Sequence, residues 1–145
     1  MTTLAPLTAA DHDDWLALWT GYLDFYEATI APDVTAHTFE RLVAGIDMHA
    51  TIARDDDGAA VGLVHWLAHP ATWTRGPYCY LEDLFVVPSA RGAGTGRALI
   101  GHVATWAREN GCAKVYWLTQ SGNTAARALY DRVARDTGFV QYAIP

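Results

Sequence analysis

The stretch YCYLEDLFVVPSARGAGTGRALIGHVATWARENG, Tyr78 to Gly111, constrains the fold more than any other part of the chain. Its opening run, Tyr78 to Val87, is aromatic, β-branched and apolar, a composition suited to a strand near the middle of a sheet. Pro88 stops that strand. From Arg97 to Asn110 the apolar residues Leu99, Ile100, Val103, Trp106 and Ala107 recur with a 3.6-residue period, and Gly111 supplies a C-terminal cap. Gly92, Gly94 and Gly96 lie between strand and helix. A strand that runs through a glycine loop into a helix brings free backbone N–H groups and the positive helix end to one point, which attracts anions. The glycines let the backbone approach a phosphate, and Arg91 and Arg97 offer charge-assisted bonds. A merely tight strand-to-helix turn is the alternative that such a loop, taken alone, leaves open.

Two better-known phosphate loops fail on the letters. The G-x-x-x-x-G-K-[ST] pattern needs a lysine that is missing here, and G-x-G-x-x-G started at Gly92 meets Arg97 in place of its last glycine. The following strand, AKVYWLTQ, also lacks the acidic residue a dinucleotide site wants.

Upstream, Thr8 and Asp11 stand in capping-box spacing before apolar positions Trp15, Leu18, Trp19, Tyr22, Phe25 and Tyr26, which predict a helix with an aromatic face. A turn at Ala31 to Asp33 precedes a second helix through Phe39, Leu42, Val43 and Ile46. HATIARDDDGAAVGLVHWLAH predicts a hairpin turning at Asp56, Asp57 and Gly58. After the glycine loop and its helix come the strand AKVYWLTQ, a helix from Asn123 to about Arg135, and a last strand at GFVQY. The whole, residues 1–145, is expected to be one α/β domain; its 51% hydrophobic content suffices for a substantial core.

Ten Lys and Arg against sixteen Asp and Glu leave a formal charge of -6, which argues against a nucleic-acid partner and mildly favours cationic amines. Cys79 and Cys112 make no disulfide framework. The N-terminal letters carry no signal-peptide pattern and no apolar stretch reaches membrane-spanning length, so no membrane partner and a cytoplasmic location are expected. His65 and His69 have H-x-x-x-H spacing but sit in a predicted strand without the glutamate of H-E-x-x-H, so no metal is expected.

Arg91, Gly94 and Gly96 form an R-x-x-G-x-G signature behind a V-x-P-type strand end, and VVPSARGAGTGRAL resembles throughout the acetyl-coenzyme A loop of the GNAT family of N-acetyltransferases. Asn123, Ala126, Leu129 and Tyr130 fit that family's N-x-x-A-x-x-L-Y block, followed by Gly138 and Phe139. The resemblance covers most of the chain. YLEDLFVVPSARG is similar to the spermidine/spermine acetyltransferase branch, whereas VYWLTQ, LYDRVARDTGF and the aromatic helix are closer to the histone and D-amino-acid branch. Thr95 departs from the family's usual Val or Ile, and Tyr130 stands farther from Gly138 than in many members.

The resemblance implies a mixed, mostly antiparallel sheet, splayed at the coenzyme site and flanked by helices. It implies acetyl-coenzyme A as donor, with Leu84, Phe85 and Val86 along the pantetheine arm and Gly92, Ala93, Gly94, Thr95, Gly96 and Arg97 around the pyrophosphate, supported by Arg91, Asn123, Ala126 and Tyr130. Asn123 is equally well placed to be a helix cap, a role compatible with the first.

Acetyl transfer needs a neutral amine, yet a primary amine of pKa ~10.4 is about 3.4 units from half-deprotonated at pH 7, a deficit of roughly 4.6 kcal/mol. Glu82 is the candidate base, Tyr130 the residue expected to meet the departing sulfur, and the Val86 amide the expected oxyanion donor. Glu82 and its neighbour Asp83 fall on opposite faces of a regular strand, so only one reaches the substrate unless the strand bulges. Trp19, Tyr22 and Tyr26 are candidates to cage the amine, although such stripes are more often core. The expected acceptor is a small-molecule amine; a protein-lysine acceptor and a silent acetyl-coenzyme A sensor are the alternatives. The family often dimerises, and VQYAIP is a candidate for pairing across a homodimer.

Overall fold

The computed structural model describes residues 1–145. Five strands, β1 (Thr3–Pro6), β2 (His49–Arg54), β3 (Ala60–His69), β4 (Tyr78–Val86) and β5 (Lys114–Tyr116), form one sheet in the order β1-β2-β3-β4-β5. Every pairing is antiparallel except β4 with β5, which are joined by the single helical crossover through α3. Helices α1 (His12–Phe25) and α2 (Pro32–Ala44) cover one face, and α3 (Thr95–Glu109) with α4 (Thr124–Val133) cover the other. This is the mixed, mostly antiparallel α/β arrangement expected.

Two cores lie back to back across the sheet. On the α1 side Trp15, Leu18, Trp19, Phe39 and Leu42 pack on Ile52, Leu63 and Phe85. On the other side Leu99, Ile100, Val103 and Ala107 pack on Val64, Trp66, Cys79 and Leu81. The predicted 3.6-residue stripe of α3 is therefore the buried one. No helix is long and apolar enough to cross a membrane.

Gly62 lets the first turns of α3 pack close on the sheet. A Cβ there would stand 3.1 Å from the Phe85 carbonyl, 3.2 Å from Leu99 Cδ1 and 3.3 Å from Thr95 Cγ2. Gly62→Ala is expected to cost about 1–3 kcal/mol by overpacking. The measurement is a urea titration, where the midpoint should fall with an unchanged slope; a wild-type midpoint would show that α3 shifts freely.

Four local readings need correction. The strand β1 was not predicted: four residues ending in Pro6 are too short to display a period, and proline is tolerated because β1 is an edge. Ala31 to Asp33 is not a turn between helices but the start of α2, with Pro32 in its first turn. The strand AKVYWLTQ pairs only over Lys114–Tyr116. GFVQY forms no strand; Phe139 is 86%, Tyr142 91% and Ile144 99% exposed. A short aromatic and β-branched run has strand propensity but supplies no neighbour to pair with, and β5 stops too early to offer one.

Candidate active site

The early end of β5 creates the site. Tyr78 to Tyr80 pair with Lys114 to Tyr116, but from Leu81 to Val86 strand β4 has a ladder partner only on its β3 edge. The Val87 N–H donates to the Val61 carbonyl at 2.9 Å, so odd-numbered residues in this part of the antiparallel ladder face β3. The backbone N–H groups of Leu84 and Val86 therefore face the open wedge. Phe85 does not fit the expected role along this wedge: its backbone faces Leu63 and its ring, 8% exposed, packs under Gly21 and Tyr22.

At the top of the wedge the chain leaves β4 through a 3-10 turn at Pro88–Ala90 and enters α3. Gly92 and Gly94 have φ of 86° and 85°, the left-handed region open to glycine, and a Cβ on either would meet nothing within 4 Å. The N–H groups of Gly92 through Arg97 donate to no acceptor in the chain; the first helical bond is Ala98 N–H to the Gly94 carbonyl, at 3.0 Å. A row of outward amides at the positive end of a fifteen-residue helix suits a pyrophosphate. Arg91 folds back to donate from Nε to the Val86 carbonyl at 3.1 Å, tying the loop to the strand end. Arg97 is exposed beside it. Thr95 turns inward, 3% exposed, and fills the apolar position under Gly62.

Helix α4 forms the far wall. Leu129 packs against Gly96, which holds α4 on the first turn of α3, and Tyr130 makes an edge contact with Trp117 at 5.4 Å between centroids. Burial raises the Tyr130 phenol, and the Tyr26 hydroxyl, from the residue that caps the C-terminus of α1, adds to the shift. Asn123 does not cap α4 with its side chain; its Nδ2 donates to Thr119 Oγ1 at 3.3 Å. Ala126 is half-buried in the first turn of α4.

The near wall depends on an irregularity in β4. His65 pairs with Asp83 and Trp66 with Leu81, so Glu82 is an extra residue bulged out of the ladder. Regular alternation would have separated the two carboxylates. With the bulge, Leu81 faces the α3 core while Glu82 and Asp83 both lie toward the tyrosines of α1. Glu82 is exposed at the mouth, yet partial desolvation by the surrounding walls raises its carboxyl above the usual range and the Asp83 charge raises it further, opposed first by His65 and then by Arg41 of α2. The Tyr22 phenol is driven up by burial and then by the adjacent Asp83. Tyr26 is raised by burial and Asp83 as well.

Trp19 holds a different place from its predicted neighbours. It is 7% exposed, stacked on Tyr22 at 5.4 Å and on Trp15 at 5.8 Å, so it supports the tyrosine wall from beneath. His65 and His69 do not converge. His65 bonds Asp83, whereas His69 meets the Tyr116 hydroxyl at 2.8 Å. His65 is the functional candidate that sequence reasoning did not find outside a metal pattern; only the register of β3 against β4 reveals it.

A splayed strand edge, a row of free amides and a carboxylate pair suit an acyltransferase of the coenzyme A type. The Acetyltransferase (GNAT) family pattern matches residues 13–134. The chain belongs to this family and is an acetyl-coenzyme A-dependent N-acetyltransferase. It is 36% identical over 134 residues to the D-amino-acid N-acetyltransferase HPA3 of Saccharomyces cerevisiae, covering 91% of this chain and 83% of that protein. It is 27% identical over 135 residues to an aminoglycoside N(6')-acetyltransferase type 1 of Klebsiella aerogenes, covering 86% of this chain and 83% of that one. Among solved structures, the aminoglycoside N-acetyltransferase AAC(6')-Iy in complex with CoA superposes with a TM-score of 0.86 at 20% identity, over 100% of this chain and 95% of that one. That last likeness concerns the fold.

Proposed function

We propose that the enzyme moves the acetyl group of acetyl-coenzyme A onto a primary amine of a small cationic molecule by direct attack. The observation that carries this reading is the β4 bulge, which turns both the Glu82 and Asp83 carboxylates toward Tyr22 and Tyr26 at the end of α1, beside the open strand edge. The net charge of -6 and the acidic mouth suit a cation. The names of the relatives, which act on D-amino acids and aminoglycosides, support small amines as the acceptor class.

In this mechanism the thioester supplies an activated acetyl group, and the chain supplies a proton acceptor, an oxyanion donor and a place for the sulfur. Glu82 accepts a proton from the ammonium, directly or through water, and a carboxylate whose pKa is raised is better matched to that task than an ordinary one. The nitrogen attacks, the C–N bond forms and the C–S bond breaks, and the surplus proton on nitrogen passes to solvent or to the departing thiolate, leaving the neutral amide and coenzyme A. The Val86 N–H, directed into the wedge, stabilises the oxyanion as the carbonyl becomes tetrahedral. Tyr130 offers its hydroxyl to the sulfur as a hydrogen-bond donor. Full proton transfer from a phenol near ~10 to a thiolate near ~8.5 is uphill by about 2 kcal/mol at reference values, and burial of Tyr130 makes it steeper.

The test is thiol release from acetyl-coenzyme A with spermidine, D-lysine, neamine and a lysine peptide. Turnover on one of the first three supports the proposal; turnover on the peptide alone favours a protein acceptor, and tight coenzyme binding without turnover favours a sensor. Tyr130→Phe is expected to lower kcat about 10-fold with coenzyme affinity unchanged, because it removes a hydrogen bond to a charged group and leaves the ring contact with Trp117. An unchanged kcat would remove the hydroxyl from the mechanism.

A further inference from the structure

We infer that His65 is a positioning residue, locked by Trp15 in one neutral tautomer, that aims the Asp83 carboxylate at the acceptor's ammonium group. The inference rests on the proposed amine acceptor and divides labour within the same site: Asp83 holds the cation and Glu82 takes the proton.

The geometry fixes the direction of every hydrogen bond. An indole N–H can only donate, and Trp15 Nε1 is 3.1 Å from His65 Nε2. Nε2 is therefore the acceptor nitrogen of the ring, and the proton sits on Nδ1. Nδ1 in turn donates to Asp83 Oδ2 at 3.0 Å. An imidazolium would set an N–H against the indole N–H, so the chain Trp15 to His65 to Asp83 runs one way only.

Each member is held rigidly. Trp15 is 1% and His65 4% exposed. The His65 ring lies 6.2 Å from that of Trp15 and 5.4 Å from that of Trp19. Asp83 is the outermost member, its side chain 15% exposed, and it reaches the mouth where Tyr22, Tyr26 and Glu82 stand. Without a fixed donor, an aspartate next to a like-charged glutamate would rotate away from it into whichever rotamer separates the charges best. The His65 N–H instead anchors one oxygen beneath α1, with the Tyr22 hydroxyl beside the same carboxylate, so that the group is held facing the mouth. A group that only stabilised the β3–β4 ladder would not need a buried tryptophan to choose its tautomer.

The experiment has two arms. In the first, the histidine ring nitrogens of the 15N-labelled wild type are read by NMR. The His65 ring, assigned by its disappearance in His65→Asn, is expected neutral and protonated at Nδ1, with that signature changed in Trp15→Phe while the His69 ring, whose Nδ1 faces the Pro70 carbonyl, keeps its own; a His65 ring protonated at Nε2, or an imidazolium at that position at pH 7, overturns the inference whatever the activity. In the second, the best acceptor among spermidine, D-lysine and neamine is titrated in steady state. His65→Leu is expected to raise its KM at least 10-fold with kcat within about threefold and the KM for acetyl-coenzyme A unchanged. His65→Asn, whose amide can replace the Nδ1 donor, should restore the acceptor KM to within about threefold. An unchanged acceptor KM in His65→Leu, or equal losses in both variants with both folded by circular dichroism, overturns the positioning role. Absence of turnover by the wild type on all three amines would count against the proposed acceptor class, and the tautomer arm would still decide the relay.

Discussion

Glu82→Gln is expected to lower kcat/KM for the acceptor amine by a factor of about 10²–10⁴ at neutral pH, the range for removal of a positioned general base. The substitution keeps shape and removes only the ability to take a proton. Glu82 lies in the bulge, outside the β3–β4 ladder, so stability should change little. The size of the loss follows from the roughly 4.6 kcal/mol needed to present a free amine of pKa ~10.4 at pH 7, which the variant must draw from solution.

The pH profile carries the sign. The base is active when deprotonated, so the wild-type rate falls as pH drops through the Glu82 pKa, which partial desolvation and Asp83 have moved upward. The variant has no such acid limb of its own. Its residual rate should climb about tenfold per pH unit as free amine accumulates, narrowing the gap to wild type at alkaline pH. Stopped-flow or steady-state thiol release from pH 5 to 10 measures both curves; parallel profiles would mean that Glu82 is not the base.

Much of the coenzyme side was legible because its determinants are local. The run from Phe85 to Leu99 encodes strand, stop, glycines and helix within one contiguous segment, and each part needs only its own backbone to reach its place. The acceptor side was less legible because it depends on register. Whether Glu82 and Asp83 share a face is decided by how β3 pairs with β4, a non-local fact, and one residue of slip reverses the answer. His65 was hidden for the same reason: nothing near it in sequence points to Asp83, eighteen positions away. Trp19 shows the limit of periodicity, since a stripe at helical spacing predicts which side chains face inward but not how deep each lies. The final GFVQY misled in the converse way, with a strand's composition but no strand beside it.

Gly94→Val is expected to weaken acetyl-coenzyme A binding about 100-fold, equivalent to ~2.7 kcal/mol. Gly94 stands at the N-cap of α3 with φ of 85° and open space around its missing Cβ, so nothing in the protein itself forbids a side chain there except the backbone conformation. A β-branched residue would suffer left-handed strain of at least 1–2 kcal/mol and would place two methyl groups over the amides proposed to hold the pyrophosphate. Gly58 separates these two effects. In the β2–β3 turn it has φ of 83°, and a Cβ there also meets nothing within 4 Å. Gly58→Val should therefore lose similar stability in a denaturant titration while its coenzyme Kd, measured by calorimetry, stays within about twofold of wild type. The contrast between two equally strained, equally roomy glycines isolates what the Gly94 backbone does for the ligand. Equal losses of affinity in the two variants would assign the effect to strain, and wild-type affinity in Gly94→Val would remove the loop amides from coenzyme binding.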